Sequence, residues 1–374
     1  MPPSIAAPLR EPAAQDPRVL HRWLAKSRHF APAYQGEMSN HLPMVLHAAW
    51  DLGADEHRLQ AQFEHDTPRL EAAATMSTEA PPAGDWLALR GRGDAYPALF
   101  AWFESALARQ SPQAVMRATL PRLLSGLHAF AFHGLIRTSH AWESGDTGEL
   151  ARALAAWSAW WEALPHGAPI APADRLDPAT WGRLLRERSN GWYSPQPMIL
   201  RRIHDATRTP VYADMAERLS AADSVATQRD RLLTFARQAY LHSRNFTVLH
   251  MITGLRALRV LLPLAGPLDA GADLALQTAL GRAVTAAWMS GRVQWSEQAH
   301  EADGRAWPEL QQLALAQFDD HAIKLVHACR QEDGLRPDPR WRAVAGLALS
   351  RAPGARRQGS AAHDLPGPPH QVGA

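Results

Sequence analysis

The sequence contains a single cysteine, Cys329, among 374 residues. A disulfide within the chain is therefore impossible, and such usage is typical of proteins from a reducing compartment. The N-terminus has prolines and charges where a secretory signal needs an unbroken apolar core. No apolar run reaches the roughly 18 residues of a membrane span, since Gln277 and Arg282 interrupt the alanine-rich segment after Asp273. We therefore expect a cytoplasmic protein without a membrane partner.

An excess of charge of either sign is also lacking. Lys and Arg number 39 against 37 Asp and Glu, which leaves a net charge of +2. No basic stripe with interleaved aromatic residues occurs, so we expect no nucleic-acid partner. Alternating β-branched runs are nearly absent, and no glycine-rich phosphate loop follows a strand. These absences argue against a sheet-based nucleotide-binding domain.

Helical periodicity dominates what is present. The pattern predicts an all-α fold, a single large bundle-like domain over residues 16–351, with disordered segments at residues 1–15 and 352–374 that are rich in Pro, Ala and Gly. Among the long helices predicted are 113–141, 246–264 with an interruption at Gly254, and 309–332. Hydrophobic residues make up 46% of the chain, which is ordinary for a globular protein.

Residues 127–140, LHAFAFHGLIRTSH, form the most informative stretch. On a continuous helix His133, Arg137 and His140 fall on one face, and His128 is turned away. Buried imidazole and guanidinium groups need partners. We therefore predict that this helix carries a polar stripe toward a buried, histidine-lined cavity. A core helix whose histidines bond only to nearby backbone explains the pattern equally well.

The chain has 18 histidines and 14 tryptophans. Four separate segments place histidine beside apolar helix faces, at His41, at His133 with His140, at His250 and at His321. Facing helices of a bundle can assemble such residues into one site, and imidazole is the usual nitrogen ligand of zinc and iron. The spacing is a weak signal, because no short HxxxH pair occurs. Most other histidines, including His47, are interpreted as surface, loop or tail residues.

Lys324 follows the candidate ligand His321 by one helical turn, so the two side chains share a helix face. An ammonium group repels a metal ion, so a charged Lys324 beside a metal would be unfavourable. Its side chain could reach water, or it could pair with Asp319 or Asp320, carboxylates that could also orient the ligands. Burial could instead remove its charge, so that it binds the metal as an amine or as a carbamate.

Four blocks together resemble the questin oxidase-like family: YQGEMSNHLPMVLHAAWDLGAD, FHGLIRTSHA, FTVLHMITGLRALR and DDHAIKLVHAC. They occur in the family's order and span nearly all of the predicted domain; we expect a bacterial member. The resemblance implies an oxidoreductase of secondary metabolism, a mono- or dioxygenase that oxidises or opens an aromatic, quinone- or phenol-like substrate with O2 in a Baeyer–Villiger-like reaction. The resemblance also points to NADPH or a non-haem iron (Fe2+) centre as the partner of O2 in the reaction.

Carried over residue by residue, the resemblance implies that His41, His133, His250 and His321 bind the metal, together with Lys324. Arg137 stands where fungal members tend to have another histidine, which puts the anthraquinone substrate in doubt more than the metal. We expect Arg137 and His140 to be the catalytic residues, with Arg137 stabilising a phenolate or carboxylate of the substrate. Trp102 or the tryptophans of residues 157–161 would line the aromatic wall, although such clusters more often belong to the core.

Two other interpretations stay open at this point. A helical metal-dependent phosphohydrolase would use His–Asp pairs such as His65–Asp66 or His204–Asp205. A non-catalytic α-helical binding protein would keep the fold without the chemistry. The sequence does not decide the substrate, the electron donor or the oligomeric state.

Overall fold

The computed structural model describes residues 15–35, 38–73, 85–299 and 304–350. These residues form an all-α fold, as predicted, with one two-stranded antiparallel sheet of β1 (Ala33–Tyr34) and β2 (Met38–Ser39). The helices are α1 (Pro17–Ser27), α2 (Leu42–Asp51), α3 (Glu56–Asp66), α4 (Tyr96–Arg109), α5 (Pro112–Leu123), α6 (His133–Ser144), α7 (Thr147–Ala159), α8 (Pro178–Ser189), α9 (Ile199–Thr207), α10 (Pro210–Met215), α11 (Val225–Ser243), α12 (Phe246–Leu261), α13 (Ala270–Ser290), α14 (Trp307–Leu315), α15 (Asp320–Leu335) and α16 (Arg340–Leu349). The termini predicted to be disordered lie outside the described residues, apart from Gln15.

Helices α2, α6, α12 and α15 form a closed central ring. Each packs against the next, α2 on α6, α6 on α12, α12 on α15 and α15 back on α2. The intervening helices return the chain each time, so that the N-terminal ends of all four lie at the same end of the ring. His41 is the residue that caps α2, and His133 and His321 are the first and second residues of α6 and α15. The fold therefore brings four distant histidines to one place.

Polar side chains begin two of these helices and set their register. Asn245 accepts hydrogen bonds from the backbone N–H groups of Thr247 and Val248 at the start of α12. Asp319 accepts from the backbone N–H groups of His321 and Ala322 at the start of α15. Such caps satisfy backbone donors that have no partner within the helix. They also fix where His250 and His321 lie relative to the neighbouring helices.

Two predicted helices are wrong in extent. The helix predicted over 113–141 is two helices, because α5 ends at Leu123 and α6 begins only at His133, with a 3-10 turn (Leu124–Gly126) and a left-handed turn between them. The helix predicted over 309–332 is also two, because Asp319 caps α15 after α14 has ended at Leu315. In both cases the apolar periodicity of the sequence continues across the break between the two helices. Contacts with other parts of the fold keep the chain non-helical there.

Gly254 does not interrupt α12, contrary to the prediction. The helix is continuous, and a Cβ atom at position 254 would lie 3.0 Å from Cδ1 of Phe132. The glycine therefore lets the turn before α6 approach the surface of α12 closely. This contact couples the two helices just beside His133.

One helical stretch, Phe246–Ala265, is long and apolar enough to cross a membrane by length and composition alone. Of its most apolar window, 72% is buried inside the protein. A helix that is apolar on most sides and covered by other helices belongs to a protein core. The central position of α12 in the ring explains its composition.

We predict that Gly134→Ala destabilises the protein. A Cβ atom there would lie 2.6 Å from Cδ1 of Trp157, a fully buried side chain that donates to the Gly126 carbonyl and has little room to move. Overpacking of this kind costs about 1–3 kcal/mol. The matched control is Gly334→Ala, in α15, where no atom lies within 4 Å of the added carbon. That change should stabilise by up to about 1 kcal/mol. Urea unfolding measures both, and equal stabilities would contradict the close packing of α6 on α7.

Candidate metal centre

A strained left-handed turn precedes α6. Phe130, Ala131 and Phe132 have φ angles of 56°, 54° and 67°. Residues other than glycine rarely adopt this left-handed backbone region. Each such residue costs about 1–2 kcal/mol. The Phe130 carbonyl turned inward by this conformation accepts hydrogen bonds from both the backbone N–H and Nδ1 of His133, at 3.1 and 2.7 Å. The strain is thus located where it orients one imidazole.

The four histidines predicted to bind metal lie together, and we refer to His41, His133, His250 and His321 as the first histidine group. Their rings contact one another in the order of the helix ring. The centroid distances are 4.5 Å for His41–His133, 5.1 Å for His133–His250, 5.2 Å for His250–His321 and 4.7 Å for His321–His41. All except His250 offer ring nitrogens within 4.8 Å of one another.

The Nδ1 atoms of this group all face oxygen acceptors. His41 Nδ1 lies 2.6 Å from Oδ2 of Asp320, and His321 Nδ1 lies 2.8 Å from Oδ1 of the same carboxylate. His250 Nδ1 donates to the Phe246 carbonyl at 2.9 Å, as His133 Nδ1 does to Phe130. Since a carbonyl or carboxylate oxygen only accepts, the proton of each neutral ring resides on Nδ1. The Nε2 atoms therefore carry lone pairs.

Three of these lone pairs, on His41, His133 and His321, have no proton donor that satisfies them. His41 Nε2 and His133 Nε2 face each other at 2.7 Å, and His321 Nε2 is buried without a hydrogen-bond partner. Two lone pairs at that distance repel unless a proton or a metal ion lies between them. Hydrogen bonding of the opposite ring nitrogen to an oxygen is how metal-binding histidines are usually held. The donor set thus fits a divalent transition metal.

Burial keeps three of these imidazoles, those of His41, His133 and His250, neutral. It lowers the pKa of His41 to about 3, and the nearby Lys324 charge acts in the same direction. Burial likewise holds the pKa values of His133 and His250 well below the ordinary value. Although burial raises the pKa of Asp320, the neighbouring His321 and His41 hold it well below its ordinary value, so this carboxylate is ionised. A metal ion would therefore meet neutral nitrogen donors backed by one negative charge.

Lys324 is only 3% exposed, which excludes the surface position considered from the sequence. Burial lowers its pKa, and Asp320 and Asp319 partly oppose that shift. Lys324 and Lys26 are the only lysines among 39 basic residues. Lysine differs from arginine because it can lose its proton when desolvated. Its position beside the first histidine group is therefore compatible with either a charged or a neutral amine.

Arg137 is buried, as predicted, and pairs with a carboxylate. Its Nε lies 2.7 Å from Oε1 of Glu149, and its Nη2 lies 3.2 Å from Oε2. Its Nη1 is buried without a hydrogen-bond partner. Arg137 and His140 both line a small cleft with Met44. The Nη1 donor of Arg137 thus has no partner, while the positive charge of its guanidinium is balanced by Glu149.

His140 does not belong to the first histidine group. It lies two helical turns further along α6, where its Nδ1 is 2.8 Å from Nδ1 of His47 and its ring is 5.2 Å from that of His327. We refer to His47, His140 and His327 as the second histidine group. The interpretation of His47 as a surface or loop residue is wrong, because it is 6% exposed and faces α6 and α15. Its spacing of six residues from His41 gave little sign of this.

The aromatic residue beside the first group is one that sequence reasoning missed. Phe246 contacts the rings of His250 and His321, at centroid distances of 4.9 and 4.6 Å, yet it is 43% exposed. It therefore lies between the histidines and solvent. Trp157 instead is fully buried in the core, and Trp102 packs on Trp86 and Phe103. The only sequence signal that points to Phe246 is its place on α12, four residues before His250.

The His–Asp pairs of the phosphohydrolase interpretation lie elsewhere. His65 Nδ1 is 2.9 Å from Asp66, whose other oxygen accepts from Gln62 within α3. His204 pairs with Glu162 rather than with Asp205. Neither pair brings together the three or more ligands of a metal site among the described residues. The geometry therefore does not favour this interpretation.

A comparison with protein families agrees with the resemblance seen in the sequence. The family model described as questin oxidase-like matches residues 38–168. Residues 38–168 are questin oxidase-like. This questin oxidase-like segment runs from β2 past the end of α7 and contains His41 and His133, whereas His250 and His321 lie beyond it. No curated protein matches the chain.

We predict that Ala131→Gly makes the protein more stable than Ala129→Gly. Both alanines are buried and each change removes one methyl group, but only position 131 has a positive φ. Glycine relieves the left-handed strain at 131 and merely adds freedom to the unfolded chain at 129. The two variants should differ by about 1–2 kcal/mol in chemical unfolding. Equal stabilities would show that the turn before His133 is not strained.

Proposed function

We propose that this protein is an oxidoreductase that uses a non-haem Fe2+ ion, held by His41, His133, His250 and His321, to oxidise or open an aromatic, quinone- or phenol-like substrate with O2. The proposal combines the questin oxidase-like segment, which points to an oxidoreductase acting on a small molecule, with the donor set of the first histidine group. The observation that carries it is the convergence of Nε2 lone pairs with no proton donor between them. A cytoplasmic location accords with the single cysteine.

Bound iron would supply the activation of O2, which organic side chains do not achieve alone. The protein's own residues hold and orient the ligands. Asp320 bridges His41 and His321, and the Phe130 and Phe246 carbonyls hold His133 and His250. Neutral donors leave the charge of the ion largely uncompensated, so an anionic substrate such as a phenolate is favoured. The N-terminal ends of the four ring helices add to the same preference.

The approach of the substrate would pass Phe246, the exposed aromatic ring against His250 and His321. A flat aromatic ligand can stack there while its oxygen faces the imidazoles. Arg137, one helical turn beyond His133, would contribute its uncommitted Nη1 as a hydrogen-bond donor. Insertion of a single oxygen atom into the substrate would consume two electrons, supplied by NADPH, and release the second oxygen atom as water.

A non-catalytic binding protein is the second candidate, because the charge of Arg137, the residue expected to be catalytic, is already paired with Glu149. The two candidates differ in metal content. Elemental analysis of the protein purified without chelators separates them: a binding protein that has lost the chemistry would contain no stoichiometric metal. Iron that gives a nitrosyl EPR signal with NO would support the oxygenase, whereas stoichiometric zinc would favour a hydrolytic or structural site.

We predict that His133→Gln and His321→Gln each lower the bound iron at least tenfold, because each removes a buried nitrogen donor that has a lone pair directed at the site. Iron content and the nitrosyl EPR signal are the measurements. The control is His57→Gln, an exposed histidine on α3 outside both histidine groups. Wild-type iron content in both His133→Gln and His321→Gln would disprove the proposed centre.

A separate prediction concerns Lys324. If its uncharged amine or a carbamate formed from it with CO2 binds the metal, both Lys324→Met and Lys324→Arg should lose iron and oxygen consumption, because neither offers a neutral amine. Acetate should then partly restore iron to Lys324→Ala by replacing the lost carboxylate if the carbamate forms. The control is Lys26→Met, the only other lysine, which is exposed on α1. Unchanged iron and activity in both Lys324 variants would show that this residue takes no part.

A further inference from the structure

The second histidine group is a repeat of the first, further along the same helices. His47, His140 and His327 follow His41, His133 and His321 by six or seven residues on α2, α6 and α15. At the rise of an α-helix this corresponds to about 9–10 Å along the helix axes. Their rings contact one another pairwise, with centroids 5.1, 5.2 and 5.7 Å apart. The central ring of helices thus contains two separate layers of imidazoles.

The nitrogen atoms of this layer are poorly satisfied by the protein. His327 is 1% exposed, and neither of its ring nitrogens has a hydrogen-bond partner. Its Nε2 lies 3.2 Å from Oδ2 of Asp51, but without hydrogen-bond alignment. His47 and His140 face each other through Nδ1 atoms 2.8 Å apart. Burying an imidazole with both nitrogens unpartnered is unfavourable by about 1–3 kcal/mol, unless a ligand compensates.

Carboxylates complete the layer on two sides. An oxygen of Glu143 lies within 4.8 Å of nitrogens of both His47 and His140. The same carboxylate pairs with Arg256, from α12, at 2.5 Å. Asp51, at the end of α2, faces His327 and also accepts from Gln331. Arg330 also approaches Asp51, at 3.8 Å, so each of the two carboxylates is paired with a guanidinium.

We propose that His47, His140 and His327, with a carboxylate from Glu143 or Asp51, form a second metal-binding site for a borderline divalent ion such as Zn2+, Co2+ or Fe2+. Three imidazoles and one carboxylate are a donor set that these ions favour. The site is distinct from the first histidine group, with which it shares helices but no ligand. Lys324 lies between the two and near enough to oppose protonation of both His41 and His140. A metal ion, unlike a proton, would satisfy three nitrogens at once.

Cobalt titration of the metal-free full-length protein tests the proposal. Co2+ is the probe, followed by equilibrium dialysis and by the visible absorption of its nitrogen complexes. The wild-type protein should bind two equivalents. His327→Gln and His47→Gln should each bind one, while His133→Gln should lose the other equivalent and keep this one. Combining His133→Gln with His327→Gln should abolish binding. The variants thus report on the two sites separately, so the second site can be tested even if the proposed iron centre does not exist.

The control is His128→Gln, which changes a histidine that is as buried as His327 but lies against Glu162, outside both groups. It should retain two equivalents, and circular dichroism should show that every variant keeps its helices. A single equivalent in the wild-type protein overturns the proposal if His327→Gln and His47→Gln retain it. If those two variants lose it and His133→Gln keeps it, the second site stands and the first does not. Two equivalents retained in His327→Gln and His47→Gln overturn it as well. Should one of these variants fail to fold, the other decides.

Discussion

The arrangement of the four imidazoles depends on a simple constraint: an oxygen acceptor occupies Nδ1 of each ring. Asp320 serves His41 and His321, and the carbonyls of Phe130 and Phe246 serve His133 and His250. Because the acceptors settle which nitrogen holds the proton, the remaining nitrogens carry lone pairs, and His41, His133 and His321 bring ring nitrogens within 4.8 Å of one another. A core that contained these histidines only for packing would pair Nε2 with donors. Here two such atoms face each other instead.

Several otherwise unfavourable features of the structure serve this arrangement. The turn at Phe130, Ala131 and Phe132 holds three residues in a left-handed conformation that gives His133 its carbonyl partner. Gly254 leaves room for Phe132 against α12, and Gly134 leaves room for Trp157 against α6. Strained backbone persists only where its surroundings over-determine it. The packing of α7 and α12 around this turn supplies that support.

Charge is distributed so that the interior of the ring can host cations. Arg137 is balanced by Glu149, and Arg256 by Glu143, so that neither guanidinium acts as an isolated buried charge. Asp320 is ionised beside His41 and His321, and the buried Lys324 lies near both histidine groups.

The sequence by itself determined the all-α class, most helix positions and the membership of the first histidine group. Helical periodicity acts over a few residues, so it can be read locally. The four predicted ligands came from matched blocks in family order, not from their spacing. Only the tertiary structure decided the break before His133, the continuity of α12 at Gly254 and the burial of His47. The left-handed turn depends on contacts with α7 and α12, and His47 is buried by α6 and α15, which are distant in sequence. No local pattern records a neighbour brought close by the fold, and for that reason the second histidine group and Phe246 appear only in three dimensions.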